Sequence, residues 1–181
     1  MSAQRCALLL RAVNVGGTGK VPMAELRALL NAREGFGVVT TYIASGNVIC
    51  DAPADPEAAC AEVRGLIHDA FGVDTPVILR THDDLARALA ENPFPDAAAD
   101  KALHAMFLEA EPRPDAIEVL TARLRPGERI ALCGHDLWID YGAVGVHSSK
   151  LTRPVLDRAL GVAGTARNLR TVQKLVELTA G

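Results

Sequence analysis

Two spacings of apolar residues alternate along this chain, one typical of strands and the other of helices. In the first 80 residues, short apolar runs predict strands, and apolar positions at three- and four-residue steps predict helices with one buried face. The predicted strands are residues 6–12, 38–44, 47–51 and 75–80, and the predicted helices are residues 23–33 and 56–71. Their order is βαββαβ.

The same order returns after a polar segment that contains two prolines. Residues 81–91 predict a short helix with an acidic first turn, and residues 91–101 are the best candidate for a boundary. Beyond it, the predicted strands are residues 103–109, 129–133, 137–141 and 163–166, and the predicted helices are residues 115–122, 151–160 and 168–179. A short Gly-rich turn at 134–136 joins two of these strands as a hairpin.

Two βαββαβ units predict an α+β fold made of two ferredoxin-like (α/β plait) halves and a C-terminal helix. We expect the first half over residues 1–80, a helix and proline-containing connector over 81–100, and the second half with the C-terminal helix over 101–181. The halves share their element order and no obvious residue repeat. A single mixed α/β sheet is the alternative, and two separate four-stranded antiparallel sheets would exclude it.

Composition narrows the class of protein. The chain has 181 residues, 49% of them hydrophobic, and a net charge of −3, so no overall positive field draws it to nucleic acid or membrane. No apolar run approaches the roughly 20 residues of a membrane span, and the N-terminal apolar run is short for a signal peptide. The four cysteines show no metal spacing and are interpreted as reduced core thiols. We therefore expect a cytoplasmic protein with no membrane partner.

Glycines and polar side chains collect after the first strand. In a ferredoxin-like unit, strands one and two run parallel with strand three between them, so the loop after strand one lies beside the turn between strands two and three. Loop amides, cations and a helix N-terminus favour a bound anion there. The candidate ligand-binding residues are Arg11, Asn14, Gly16, Gly17, Lys20, Tyr42, Ser45 and Asn47. The structural alternative is that the asparagines satisfy turn backbone, the glycines allow positive φ, and the lysine is solvated.

Known phosphate-binding motifs do not account for this loop. A Walker-type loop would need a glycine where Asn14 stands and a hydroxyl where Val21 stands. The dinucleotide fingerprint fails as well, because Pro22 occupies the place of its last glycine.

A second polar cluster lies between positions 147 and 174, where two predicted helices begin. Its candidate ligand-binding residues are Ser149, Lys150, Arg167, Asn168 and Thr171. Helix capping explains the hydroxyl and amide groups, with Ser149 as the N-cap of the first helix and residues 165–168 capping the second. It does not explain the cations, which oppose a helix dipole until an anion binds. A solvated basic face, or salt bridges to acids such as Glu109 or Asp157, are the alternatives.

Catalytic and metal-binding patterns are sparse. The five histidines show neither H-x-x-x-H nor H-E-x-x-H spacing. Ser148 and Ser149 beside His147 and Lys150 could combine a nucleophile with a base, yet such local groups are common without activity. We expect no metal and no cofactor, and the sequence leaves open whether the protein is an enzyme.

Four segments resemble a known family. They are LLLRAVNVGGTGKVPMAELRALL, TYIASGNVI, HSSKLTRPVLDRALGV and TARNLRTVQKLVEL, and together they resemble the bacterial domain of unknown function family 1697 (DUF1697). The resemblance implies paired α/β plaits and, since the family has no assigned activity, no catalytic residue. The chain departs from the family pattern at Ala12, where glycine is usual, at Ser148, where a basic residue is common, and at Leu169, where tryptophan is frequent.

These observations favour a protein that binds a small phosphorylated or nucleotide-like anion at one or both clusters. A single-stranded nucleic-acid binding module is an alternative from another class, which the 4% of aromatic residues and the negative net charge make weaker. A structural or protein-interaction role without a ligand is the third. The oligomeric state is left open.

Overall fold

The computed structural model describes residues 4–181 and contains two four-stranded antiparallel sheets. The strands are β1 Arg5–Leu10, β2 Thr40–Tyr42, β3 Asn47–Asp51, β4 Val77–Thr81, β5 Leu103–Leu108, β6 Arg129–Cys133, β7 Asp136–Asp140 and β8 Gly164–Asn168. The helices are α1 Met23–Asn31, α2 Pro56–Phe71, α3 His82–Ala90, α4 Ala116–Thr121, α5 Arg153–Leu160 and α6 Leu169–Thr179.

Both sheets have the same topology. Their strand orders are β2-β3-β1-β4 and β6-β7-β5-β8. These orders are equivalent, because β5 to β8 of the second unit take the places of β1 to β4 of the first. The prediction of two ferredoxin-like halves with a C-terminal helix is confirmed, and the single mixed sheet is excluded.

The chain divides into two compact units. The first contains the residues up to Ala86 together with Leu175–Gly181, and the second is Arg87–Lys174.

The core of the first unit lies between its sheet and helices α1 and α2. Every second residue of β1 enters it, including Leu8 and Leu10, where they join Leu26 of α1 and Val63 of α2. The intervening residues Ala7 and Leu9 are also fully buried, on the other face of the sheet. Burial on both faces explains why this strand is continuously apolar in the sequence.

Local signals define the longest helix, α2. The Asp55 carboxylate accepts a hydrogen bond from the Ala58 amide at 3.0 Å, and Pro56 occupies the first turn, where it costs no helical hydrogen bond. Gly72 ends the helix in the left-handed conformation, with φ of 68°. These signals lie in the sequence itself, and the predicted bounds of residues 56–71 are confirmed.

The second unit repeats the arrangement with helices α4 and α5. Met106 and Leu108 of β5 pack with Leu120 of α4 and Leu156 of α5. On the opposite face of the sheet, Trp138 is fully buried and is paired across the ladders with two alanines, at positions 105 and 131, whose small side chains leave room for the indole.

Most element boundaries differ from the prediction by one or two residues, and at two elements the physical reason can be identified. Strand β2 is only three residues long, because Ile43 adopts φ of 51° and so leaves the extended conformation. Helix α5 begins at Arg153 rather than at 151, because Thr152 is its N-cap and has an extended backbone, with ψ of 161°. Leu151 is buried but precedes the helix, so the predicted helix begins two residues too early.

Candidate functional site

Hydrogen bonds connect the loop after β1 with the turn between β2 and β3. The Leu10 amide donates to the Gly46 carbonyl at 2.8 Å, and the Asn14 side-chain amide donates to the Ala44 carbonyl at 2.8 Å. We call these two segments, residues 11–20 and 42–47, the hairpin edge. All eight candidate residues of the first predicted cluster lie in these two segments.

Asn14 holds the loop in place. Its side-chain oxygen accepts from the Val21 amide at 2.9 Å, and its side-chain nitrogen donates to the Val21 carbonyl at 2.8 Å as well as to Ala44. Both hydrogens of the amide group are therefore used within the protein, as the structural alternative expected.

The turn between β2 and β3 is held by a buried asparagine. Asn47 is fully buried, and its side chain donates to the Tyr42 carbonyl at 2.9 Å and to the Ser45 hydroxyl at 3.4 Å. Gly46 is required beside it, because a Cβ there would lie 2.7 Å from atoms of Leu10 and Val13. Asn47 therefore organises the turn.

The glycine loop is a small hairpin that the sequence reading did not anticipate. Val15 and Thr18 form an isolated antiparallel bridge, and Gly16 and Gly17 between them have φ of 63° and 77°. Two central residues with positive φ are the signature of a tight two-residue turn, which glycine adopts without strain. The Gly16 and Gly17 amides are exposed at its tip and donate no hydrogen bond within residues 4–181.

Backbone strain is concentrated at the hairpin edge. Within residues 4–181, the non-glycine residues with positive φ are Ala12 at 54°, Asn14 at 56° and Ile43 at 51°, and all three lie in it. Such conformations cost of order 1–3 kcal/mol each and cluster at functional sites. The backbone at Ala12 favours glycine, since only glycine adopts this conformation at no steric cost.

The charges of the hairpin edge are positive. Arg11 is half-buried, and Thr75 holds its backbone by accepting from its amide at 3.1 Å and donating to its carbonyl at 2.6 Å. Lys20 is exposed and forms no ion pair within the described chain. Neither residues 11–22 nor residues 40–47 include an aspartate or glutamate. An anion at this edge would meet no carboxylate from these segments.

The polar groups of the second predicted cluster have separate structural roles. The Ser149 hydroxyl accepts from the Leu151 amide at 3.0 Å in a turn before α5, so its predicted role as the N-cap is wrong; that position belongs to Thr152. The Asn168 side chain accepts from the Thr171 amide at 2.9 Å at the start of α6, which agrees with the predicted cap. These contacts explain the side-chain oxygens without a ligand.

The two cations of that cluster lie in different environments. Arg167 is only 6% exposed, and its guanidinium donates to the Thr165 hydroxyl at 2.7 Å and to the Ala166 carbonyl at 3.0 Å. Burial lowers the pKa of Arg167 to about 10. Lys150, in contrast, is exposed. Of the two, only Lys150 is presented to solvent.

A group of arginines that sequence reasoning missed lies along a cleft between α4 and α5. Arg113 precedes α4, Arg123 follows it, and Arg158 belongs to α5. Their separation along the chain gives no motif. Only the plait topology, which lays the two helices of a unit side by side on one sheet face, could have indicated that they converge.

The cysteines and histidines of the described chain are not grouped as metal ligands. Within residues 4–181, no group of three or more histidine, cysteine, aspartate or glutamate side chains is arranged to hold a metal ion. The four cysteines are free thiols, two buried and two half-buried.

Within residues 4–181, no helix combines the length and the apolar character that crossing a membrane requires.

Comparisons with known proteins agree with this architecture. The family model described as protein of unknown function (DUF1697) matches residues 3–138. Among solved structures, a conserved bacterial protein from Streptococcus pneumoniae is 24% identical, covers 98% of this chain and 99% of its own, and superposes with a TM-score of 0.71. At that identity the likeness is one of fold. No curated protein matches the chain.

Proposed function

This chain belongs to the DUF1697 family of proteins of unknown function, and we propose from its own geometry that it binds a small phosphorylated or nucleotide-like anion at the hairpin edge. The ligand contacts are the amides of Gly16 and Gly17, the Lys20 ammonium group and the Arg11 guanidinium group. Asn14 and Asn47 act through the backbone they hold, rather than on the ligand, and Tyr42 and Ser45 accept hydrogen bonds from Asn47.

One observation carries this proposal. At the tip of the glycine hairpin, two exposed amides have no acceptor within residues 4–181, and the same edge contains the strained residues Ala12 and Ile43. Successive backbone N–H groups next to left-handed residues form concavities that suit anions. A solvated turn needs no strain at Ala12 or Ile43, whereas a site that must present amides in one direction does.

Charge adds to this geometry. Lys20 follows the hairpin directly and Arg11 precedes it, so the loop carries one cation on each side of the two amides along the chain. Hydrogen bonds from charged donors to phosphate are roughly twice as strong as those between neutral groups. The second cluster keeps Lys150 as its exposed cation, and its role in ligand binding is a separate proposal.

The alternatives have less support. Nucleic-acid binding plaits stack bases on exposed strand aromatics, while Phe107 and Trp138 on the strands of the second sheet are fully buried.

We place the proposed anion binding in the cytoplasm, because four cysteines left as free thiols suit a reducing compartment.

A titration followed by NMR tests the proposal on the full chain. Inorganic phosphate and adenosine monophosphate are added to ¹⁵N-labelled protein, and we expect the Gly16 and Gly17 amide resonances to shift in a saturable way. Lys20→Gln should weaken binding about tenfold, which corresponds to one charged hydrogen bond of about 1.4 kcal/mol. Lys101→Gln is the control, because it removes an exposed lysine of the other unit and changes net charge equally.

Two results would overturn the proposal. One is that the Gly16 and Gly17 resonances stay in place with both probes at millimolar concentration. The other is that Lys101→Gln weakens binding as much as Lys20→Gln, since the interaction would then follow net charge rather than this edge.

A further inference from the structure

The cleft between α4 and α5 has an apolar floor and a cationic rim. Its volume is about 280 Å³. The residues that line it are Arg113, Asp115, Val119, Arg123, Pro154, Val155, Arg158 and Ala159. Three guanidinium groups therefore face a single carboxylate, which leaves a surplus of two positive charges beside aliphatic side chains.

Backbone contacts fix one end of the cleft. The Arg113 amide donates to the Leu160 carbonyl at 2.9 Å, which ties the start of α4 to the end of α5. The aliphatic stem of Arg113 lies over Gly161, where an added Cβ would come within 2.9 Å of it. Gly161 also has φ of 71°, which ends α5, and its lack of a side chain leaves room for Arg113.

One cation of the rim has a partner and two do not. The Arg113 side chain lies 3.3 Å from the Asp115 carboxylate, and both groups are more than half exposed. Arg123 and Arg158 are exposed, and their side chains form no ion pair or hydrogen bond within residues 4–181. Guanidinium groups without a partner beside an apolar surface are available to a ligand that brings both an anion and an apolar body.

The first unit provides an internal comparison. The equivalent groove between α1 and α2 is lined by Arg33, Glu62 and Asp69 among other residues, so its charged groups carry a surplus of one negative charge. Arg33 is paired with Glu62 at 3.2 Å. The same architecture is thus built without surplus cations, and the arginines of the α4–α5 cleft are not a requirement of the fold.

We propose that the α4–α5 cleft is a second binding site, distinct from the hairpin edge, for a phosphate monoester with a small apolar body. A monoester with a second pKa near 6 is close to a dianion at neutral pH, which matches the surplus of two charges. The guanidinium fork binds phosphate oxygens in pairs, and the floor of Val119, Val155 and Ala159 receives the apolar group. A cavity of about 150 Å³ holds benzene, so this cleft has room for a ring and its phosphate.

The test uses the full chain with phenyl phosphate, inorganic phosphate and phenol as probes. Binding is followed by NMR through the side-chain Nε–H signals of Arg123 and Arg158. We expect phenyl phosphate to bind more tightly than inorganic phosphate, and phenol not to bind at the same concentrations. The double variant Arg123→Gln with Arg158→Gln should weaken phenyl phosphate binding at least about tenfold, because two charged contacts are lost.

Arg27→Gln is the matched control, since Arg27 is an exposed helical arginine of the first unit without a side-chain partner in the described chain. It should leave phenyl phosphate binding unchanged. The proposal is overturned if the double variant, folded as judged by its amide spectrum, binds phenyl phosphate like the unsubstituted chain. It is also overturned if Arg27→Gln weakens binding equally, or if inorganic phosphate binds as tightly as its phenyl ester.

The two proposals fail independently. Lys20→Gln removes a ligand contact of the hairpin edge and none of the cleft. Phenyl phosphate signals at Arg123 and Arg158 should therefore persist in Lys20→Gln, and the Gly16 and Gly17 shifts with inorganic phosphate should persist in the double arginine variant.

Discussion

The Sγ atoms of Cys6 and Cys50 lie 3.6 Å apart at directly opposed positions of β1 and β3. Both side chains are fully buried, and they share a hydrogen bond that raises the pKa of Cys6 and lowers the pKa of Cys50. The pair therefore belongs to the core of the first unit, and any thiolate that forms within it resides on Cys50.

This burial predicts how the thiols react. In the native chain, alkylation by iodoacetamide should modify Cys60 and Cys133, which are half-buried, at least about tenfold faster than Cys6 and Cys50, which need local opening of the sheet. Mass spectrometry of the labelled peptides measures the four rates. In denaturant the difference should vanish, and equal rates in the native chain would contradict the buried pair.

Gly46 and Gly35 offer a direct measure of crowding at the hairpin edge. Their φ angles are 91° and 93°, but a Cβ at Gly46 would meet Leu10 and Val13 at 2.7 Å, whereas nothing lies within 4 Å at Gly35. Gly35→Ala should cost about 1 kcal/mol of backbone strain, and Gly46→Ala roughly 2–4 kcal/mol because overpacking adds to the strain. Urea unfolding of both variants measures the difference, and equal losses would argue against the close approach.

Ala12→Gly should stabilise the chain. At φ of 54° the alanine Cβ is strained, and glycine relieves that strain at some cost in backbone entropy, for a net gain of about 0.5–1 kcal/mol. Ala28→Gly on the exposed face of α1 is the control and should cost about 1 kcal/mol, since its backbone is helical. Denaturant midpoints of the two variants should move in opposite directions; a loss of stability at Ala12 would mean that its backbone is not strained.

His104 predicts a pH dependence of stability. Its ring packs edge-on against Tyr141 at 5.1 Å between centroids, its Nε2 lies 3.1 Å from the Lys101 carbonyl, and burial lowers its pKa. The unfolded chain therefore binds the proton more readily. The stability that the neutral ring contributes is complete above the unfolded pKa of about 6.5 and is lost as pH falls toward the folded pKa.

His104→Gln tests this dependence, because glutamine can donate to Lys101 and does not titrate. Between pH 7 and pH 5, the free energy of unfolding should fall less steeply in the variant than in the unsubstituted chain. Parallel curves would show that other groups account for the whole slope.

The repeated element order could be predicted because its signals are local. Asp55, Pro56 and Gly72 mark the ends of α2, and continuous apolar runs mark strands buried on both faces. Strand order then follows from the βαββαβ sequence, which is why the meeting of residues 11–20 with the turn after β2 could be anticipated. The family resemblance supports the same architecture.

Side-chain roles within the candidate site were harder to predict. Asn14 and Asn47 look identical in sequence to ligand-binding amides, and only their partners in space show that they hold backbone. Arg167 appears exposed by its position beside a helix start, yet its place on β8 buries it. The α4–α5 cleft depends on which helices are neighbours, information that no spacing along the chain contains.

The fully buried Trp138 is the single tryptophan of the chain and belongs to the second unit. Its fluorescence therefore reports on the packing around one residue of β7, while circular dichroism averages over the secondary structure of both units. If the two signals diverge during denaturation, the chain does not unfold in a single step, and their order shows whether the packing around Trp138 is lost before the rest of the structure, without any engineered label.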